Sequence, residues 1–204
     1  MEGHGRPPVV LLHGLSMTSD ACWHGTYAPL AEHHRVVAFD LRGHGCGLPV
    51  RGRFSLQVCA EDVLAVGDAL GLGRFIAVGY SIGGLIAQTL WRRDPDALDG
   101  LVLGATAHFP LTPVEWALGA ALQAAAKFDA RPWIAAIDVP AAVVITTRDA
   151  VIIPWRQRAL ASAIPGATSH EVGAGHLAPI RHPQRLARGI VSACDSVVRA
   201  RAVV

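Results

Sequence analysis

The 204-residue chain sets 18 Lys and Arg against 16 Asp and Glu, a formal charge of +2, with 51% apolar and 17% charged residues. That balance excludes a strongly basic nucleic-acid binder, an acidic tail protein and a disordered chain. The length suits one domain, 1–204, that buries a core of its own.

No stretch reads as a membrane span. The longest apolar-looking run, Ile76 to Leu90, is too short and holds Ser81, Gln88 and three glycines. Glu2, His4 and Arg6 precede a brief apolar run, Val9–Leu12, so no signal peptide is expected. Four scattered cysteines, Cys22, Cys46, Cys59 and Cys194, form no CxxC. They read as free thiols in a reducing compartment, and the expected location is cytoplasmic.

In chain order, short β-rich runs alternate with helical patterns. Pro8–Leu12, Arg35–Phe39, Phe75–Gly79, Leu101–Gly104, Ala141–Thr146 and Thr168–Val172 read as strands. Most are apolar throughout, as strands buried on both faces of a parallel sheet are. Leu56–Leu70 has helical spacing and a stop at Gly71; Ile82–Arg93, Pro154–Ile164 and Pro179–Arg199 also read as helices. Pro183 should set the true start of the last one. The alternation predicts a three-layer α/β fold with about six mostly parallel strands and helices on both faces. Residues 109–136 break the alternation and read as a small cap-like insertion over the sheet. It holds Phe109, Trp116, Trp133 and a predicted helix over Val114–Phe128.

Gly79-Tyr80-Ser81-Ile82-Gly83 fits G-x-S-x-G, with a buried strand before it and a helix after it. A serine on such a sharp turn projects from the sheet, and flanking glycines remove side chains that would collide there. A serine nucleophile needs a base, and of ten histidines His176 is the best placed, in a glycine-rich loop after the last strand. His170 lies within a strand and His182 precedes Pro183. The base needs an orienting carboxylate. Asp149 follows the strand Ala141–Thr146, whereas Asp129 and Asp138 precede it and Glu171 lies on a strand. A developing oxyanion needs preset N–H donors, and the backbone N–H groups of Leu15 and Ile82 are the candidates. His13 then braces that loop.

Together these residues resemble the α/β-hydrolase family in its serine-esterase branch, over about Pro8 to Ala193. His13-Gly14-Leu15 follows the first strand, Asp40-Leu41-Arg42-Gly43-His44-Gly45 the second, and the order Ser, Asp, His is the family's. The resemblance implies a triad of Ser81, Asp149 and His176, with Leu15 and Ile82 as oxyanion donors. It implies no metal and no organic cofactor, and a structural role for Asp40–Gly45. Two departures stand out. With only seven residues ahead of the first strand, the family's leading antiparallel hairpin is not expected here, and the cap reads as short, so a shallow, open site is expected.

The expected reaction is two-step acyl transfer on a small-molecule carboxylic ester, with short acyl chains favoured. Thioesterase, amidase, perhydrolase and acyltransferase chemistry stay open, as does a non-catalytic ligand-binding role on the same scaffold. Dehalogenase and epoxide-hydrolase chemistry is disfavoured, because those families resemble chains with aspartate where Ser81 stands. Trp23, Tyr80 and Trp155 are candidate substrate contacts, with core or lid packing as the plainer reading of each. An apolar rim and an uncovered edge strand also suggest a homodimer.

Overall fold

The computed structural model describes residues 6–110, 124 and 127–202. Six strands are described: β1 (Val9–Leu12), β2 (Val36–Ala38), β3 (Phe75–Tyr80), β4 (Leu98–Gly104), β5 (Ala141–Thr146) and β6 (Thr168–Val172). They form one sheet in the order β2-β1-β3-β4-β5-β6, and every pairing is parallel.

The helices among the described residues are α1 (Ser19–Trp23), α2 (Tyr27–Ala31), α3 (Leu56–Ala69) and α4 (Ile82–Arg93). They continue with α5 (Pro154–Ala163), α6 (Ala178–Arg181) and α7 (Pro183–Arg201). None is long and apolar enough to cross a membrane.

Alternation along the strands divides the core in two. Val10 and Leu12 of β1 and Ala77 of β3 pack with Val63 of α3, Ile86 of α4 and Leu160 of α5. Val9, Leu11, Ile76 and Val78 face the other way, onto Trp23 of α1 and Leu186, Ile190 and Val197 of α7. Both faces of the central strands are therefore covered, which is why β1, β3 and β5 are apolar without a break. The edge strand β6 has water on one side and tolerates Thr168, Ser169 and Glu171.

The predicted strands and the four longer helices occur with ends shifted by a few residues. Two differences have physical causes. Strand β4 starts at Leu98, ahead of the apolar run, because the Asp99 carboxylate is buried yet paired. It meets Arg74 at 3.0 Å and Arg201 at 3.1 Å. The last predicted helix divides at His182, whose φ −142, ψ 49 is not helical; Pro183 then opens α7. Helices α1 and α2, five residues each, escaped the reading because they are too short to show a period. The helix predicted over Val114–Phe128, with Trp116 on it, lies almost wholly outside the described residues.

Asp99→Ala should lower stability by about 1–3 kcal/mol, since it strands two guanidinium groups that are themselves half exposed. Glu171→Ala, which breaks an exposed pair with Arg158, should stay within about 0.5 kcal/mol. Urea midpoints at constant slope measure both, and equal shifts would rule out a structural role for the Asp99 pair.

Candidate active site

Ser81 joins β3 to α4 in a single residue. Its backbone takes φ 54, ψ −116, rare for a residue with a side chain. The Ser81 N–H donates to Gly104 O of the neighbouring strand at 2.9 Å, and its carbonyl accepts from Gly84 N–H at 2.9 Å. So sharp a turn needs its neighbours bare. A Cβ on Gly79 would lie 2.3 Å from Gly83 O, and one on Gly83 would lie 2.1 Å from Leu12 O. The two flanking glycines of the motif are thus fixed by close approach of backbone to backbone, within the turn and against the end of β1.

Three predicted residues meet at this turn. Ser81 Oγ lies 3.0 Å from His176 Nε2, and His176 Nδ1 lies 2.8 Å from Asp149 Oδ2. Asp149 is buried, and its remaining lone pairs are filled. Oδ1 accepts from the N–H groups of Val151 and Ile152 at 2.8 and 2.9 Å, and Oδ2 accepts from the Thr146 hydroxyl at 2.7 Å. The Thr146 oxygen in turn accepts from Gln157 Nε2 at 2.9 Å, while Gln157 Oε1 accepts from Thr146 N–H at 2.9 Å. With the carboxylate as acceptor, His176 Nδ1 is the donor, which leaves Nε2 free to accept from Ser81.

Sequence reasoning missed Thr146 and Gln157. No motif marks them in the sequence; they stand out only by burial beside Asp149, one ending β5 and one on α5.

Tyr80 donates from its hydroxyl to His176 O at 2.9 Å, so the residue beside the serine also holds the loop that carries His176. Burial, helped by the charge of Asp149, pushes the Tyr80 phenol far above its ordinary value, and it remains a donor. The loops of Asp149 and His176 are tied directly as well: Arg148 N–H donates to Ala174 O at 3.0 Å.

The loop after β1 packs against the serine; a Cβ on Gly14 would lie 3.7 Å from Ser81 Cβ. His13 is fully buried, with Nδ1 2.8 Å from Gly14 O and Nε2 2.9 Å from Leu41 N. Nδ1 therefore carries the proton, Nε2 accepts, and the ring is neutral. Burial lowers its pKa, outweighing the hydrogen bond to Gly14. The loop of Asp40–Gly45 completes the brace. Asp40 accepts from Ser19 N–H at 2.7 Å and Cys46 N–H at 2.8 Å, and these bonds hold its carboxyl below the usual range.

A cavity of about 340 Å³ opens beside Ser81 and His176. Leu15 and Ile82 border it, with Met17, Leu85, Phe109 and Ile152 among its apolar walls. Among the described residues, no Asp, Glu, Lys or Arg lines it. Val151, Leu177 and Ile180 reach from its wall to the surface and stay 49–59% exposed, an apolar rim.

Of the three candidate contacts, Tyr80 lines the cavity and the two tryptophans do not. Trp23 is a correction. Helix α1 turns it inward, where it is fully buried and stands edge-on to Tyr80 at 6.3 Å. Trp155 is 55% exposed and stacks at 5.6 Å on Phe109, which does line the cavity. Most of 109–136, on which the expectation of a shallow site rests, lies outside the described residues.

The alternatives for base and acid are engaged elsewhere. His170 meets Ser192 and Ser196, Asp129 pairs with Arg131, Asp138 accepts from Trp91, and Glu171 pairs with Arg158.

Two predictions concern this scaffold. Gly83→Ala should cost about 3 kcal/mol or more, because the Leu12 carbonyl it meets is strand backbone that cannot yield. Gly73→Ala, at φ +61 in open space, should cost roughly 1–2 kcal/mol; comparable losses in urea unfolding would refute the close-packing account. Because the folded pKa of His13 is lowered, the unfolded chain takes up the proton first. Stability is then present above about pH 6.5 and falls as pH drops below it, by up to about 1.4 kcal/mol per unit for one such group. His34, His108 and His170 are shifted the same way by burial. Urea titrations at about pH 7.5 and 5.5 should therefore show a smaller loss in His13→Asn than in the parent.

Comparison with known proteins agrees with this architecture. The sequence profile of the alpha/beta hydrolase fold matches residues 7–130. A putative carbamate hydrolase (RutD) of Agrobacterium fabrum is 37% identical over 108 residues, covering 50% of this chain and 41% of that protein. A pimeloyl-(acyl-carrier protein) methyl ester esterase of Aeromonas hydrophila is 36% identical over 112 residues, covering 54% of this chain and 42% of that protein. The chain spans less than half the length of these curated relatives. A solved structure of a thermophilic esterase from Thermogutta terrifontis, with malate bound, superposes with a TM-score of 0.86. It is 25% identical and covers 97% of this chain and 92% of that one. The chain belongs to the alpha/beta hydrolase fold family.

Proposed function

We propose that the protein is a serine hydrolase that cleaves uncharged carboxylic esters of short acyl chains through an acyl-enzyme. The observation that carries this reading is the line of hydrogen bonds from Asp149 to His176 to Ser81, at 2.8 and 3.0 Å, ending at the wall of an apolar cavity.

Ser81 Oγ attacks the ester carbonyl carbon while its proton passes to His176 Nε2. The carbonyl electrons move onto oxygen, and the backbone N–H groups of Leu15 and Ile82 stabilise that charge. The amino end of α4, which begins at Ile82, favours the same negative charge. Asp149 holds the imidazole in the tautomer that can accept, and stabilises it once protonated. His176 then gives its proton to the departing alcohol as the C–O bond breaks. Water, deprotonated by the same imidazole, attacks the acyl-serine, and collapse releases the acid and restores Ser81.

The cavity volume lies near the lower end of the usual range for ligand sites, about 300–1,000 Å³, which favours small acyl groups. A lining without cationic side chains among the described residues favours uncharged substrates over small anions. The methyl ester esterase of Aeromonas hydrophila bears a name in keeping with this chemistry.

Hydrolysis of p-nitrophenyl esters from acetyl to palmitoyl tests the proposal. Rates should be highest for the short esters and fall by about 10⁴-fold or more in Ser81→Ala. Asp149→Asn should lose about 10³–10⁴-fold by spoiling the tautomer. Equal rates for the parent and Ser81→Ala on every ester would overturn the esterase reading.

A further inference from the structure

Thr106 is the one buried polar side chain of the cavity wall, among the described residues, that has no hydrogen-bond partner. The others are committed. Ser81 and His176 face one another, Tyr80 donates to His176 O, and Ser16 is exposed. Thr106 follows β4 and Ala105, which sits at φ 48. Its side chain packs on the first turn of α4: a Cβ on Gly84 would lie 2.5 Å from its Cγ2 and 2.9 Å from its Oγ1. That turn begins beside Ser81, and Thr106 and Ser81 line the same cavity.

Buried hydroxyls are almost always paired, and an orphan on a residue that lines a ligand cavity asks for a ligand atom. The carbonyls of Gly84, on which Thr106 packs, and of Ala107, the next residue, each accept one hydrogen bond already. Gln88 Nε2 donates to Gly84 O at 3.1 Å and to Ala107 O at 3.0 Å. Thr89, by contrast, shows how a threonine on α4 is usually satisfied, donating to Leu85 O at 2.8 Å.

We infer that Thr106 selects acyl groups bearing one uncharged oxygen (ether, hydroxyl or keto) within a few atoms of the reacting carbonyl. This inference rests on the ester-hydrolase reading and narrows its substrate class. The hydroxyl is shielded in its present rotamer; a turn about χ1 is the move that would present it to the cavity the residue lines, where it can donate to or accept from that oxygen. A hydrocarbon chain leaves it unpaired. A carboxylate at the same place finds no cationic side chain in the lining among the described residues.

The test compares p-nitrophenyl methoxyacetate with p-nitrophenyl butyrate, which differ by an oxygen in place of a methylene. The ether oxygen raises the intrinsic reactivity of its ester in every variant, so the ratio of kcat/KM values is what is read. Thr106→Val should lower that ratio about 10-fold or more while raising Tm, because an orphan hydroxyl gives way to an isosteric methyl. Thr106→Ser should keep the parent ratio. Should Thr106→Val fail to fold, Thr106→Ala serves for the same ratio.

An unchanged ratio overturns the inference. An unchanged ratio with a lowered Tm would show further that the hydroxyl serves the fold, for instance by turning to Gln88 Oε1, which is also unpartnered. Calorimetric Kd values for the two esters on Ser81→Ala and on the Ser81→Ala, Thr106→Val double variant separate this inference from the hydrolase reading. Selective loss of methoxyacetate binding without turnover in the parent would keep Thr106 and overturn ester hydrolysis. Turnover with an unaltered preference would do the reverse, and binding of neither ester would overturn the inference.

Discussion

The structure depends on one constraint: β3 must hand over to α4 within a single residue. Ser81 absorbs the change at φ 54, and the handover works only because Gly79 and Gly83 let backbone pass within contact of backbone. A strained residue of this kind costs about 1–3 kcal/mol and persists only where its surroundings over-determine it. Here they do. Leu12 presses from β1, Gly104 accepts the Ser81 N–H from β4, and Ile82 and Ile86 lock the helix into the core. The parallel sheet is thus the clamp that keeps a serine in a backbone conformation it would not choose.

The second level of order is electrostatic. A carboxylate buried as deeply as Asp149 is costly unless every lone pair is used. Two backbone N–H groups, the Thr146 hydroxyl and the His176 ring supply the partners, and Gln157 fixes the threonine. The same economy operates on the opposite side of the serine, where His13 is buried neutral and both of its ring nitrogens are engaged. Both groups are pinned by bonds to backbone, so the geometry around Ser81 does not depend on mobile surface charge.

Much of this was legible in the sequence, because it is written in short-range patterns. Apolar runs gave the buried strands, helical spacing and proline gave α3 to α5 and the start of α7, and glycine spacing marked the elbow. What escaped was set by tertiary context. Asp99 interrupts β4 in sequence, yet Arg74 and Arg201 reach it from distant segments. Trp23 looked like a ligand contact at the right edge of the sheet, but a five-residue helix too short to read turns it into the core. Thr146 and Gln157 carry no motif; only their burial around Asp149 reveals them. Ser81, Asp149 and His176, which the structure brings within hydrogen-bond distance, could be singled out because loop position after a strand end is itself a sequence pattern.

The strand order β2-β1-β3-β4-β5-β6 has a consequence for how the protein comes into being. Once β1 and β3 are paired, each later strand joins the same open edge in the order in which it is synthesised. A growing chain can therefore lay down its sheet outward, with no strand inserted between earlier ones. The elbow, at residue 81, belongs to the first half of this process, whereas Asp149 and His176 arrive with the last two strands. An incomplete chain would hold Ser81 on its turn without Asp149 and His176 beside it, and the three groups meet only when the outermost strand docks.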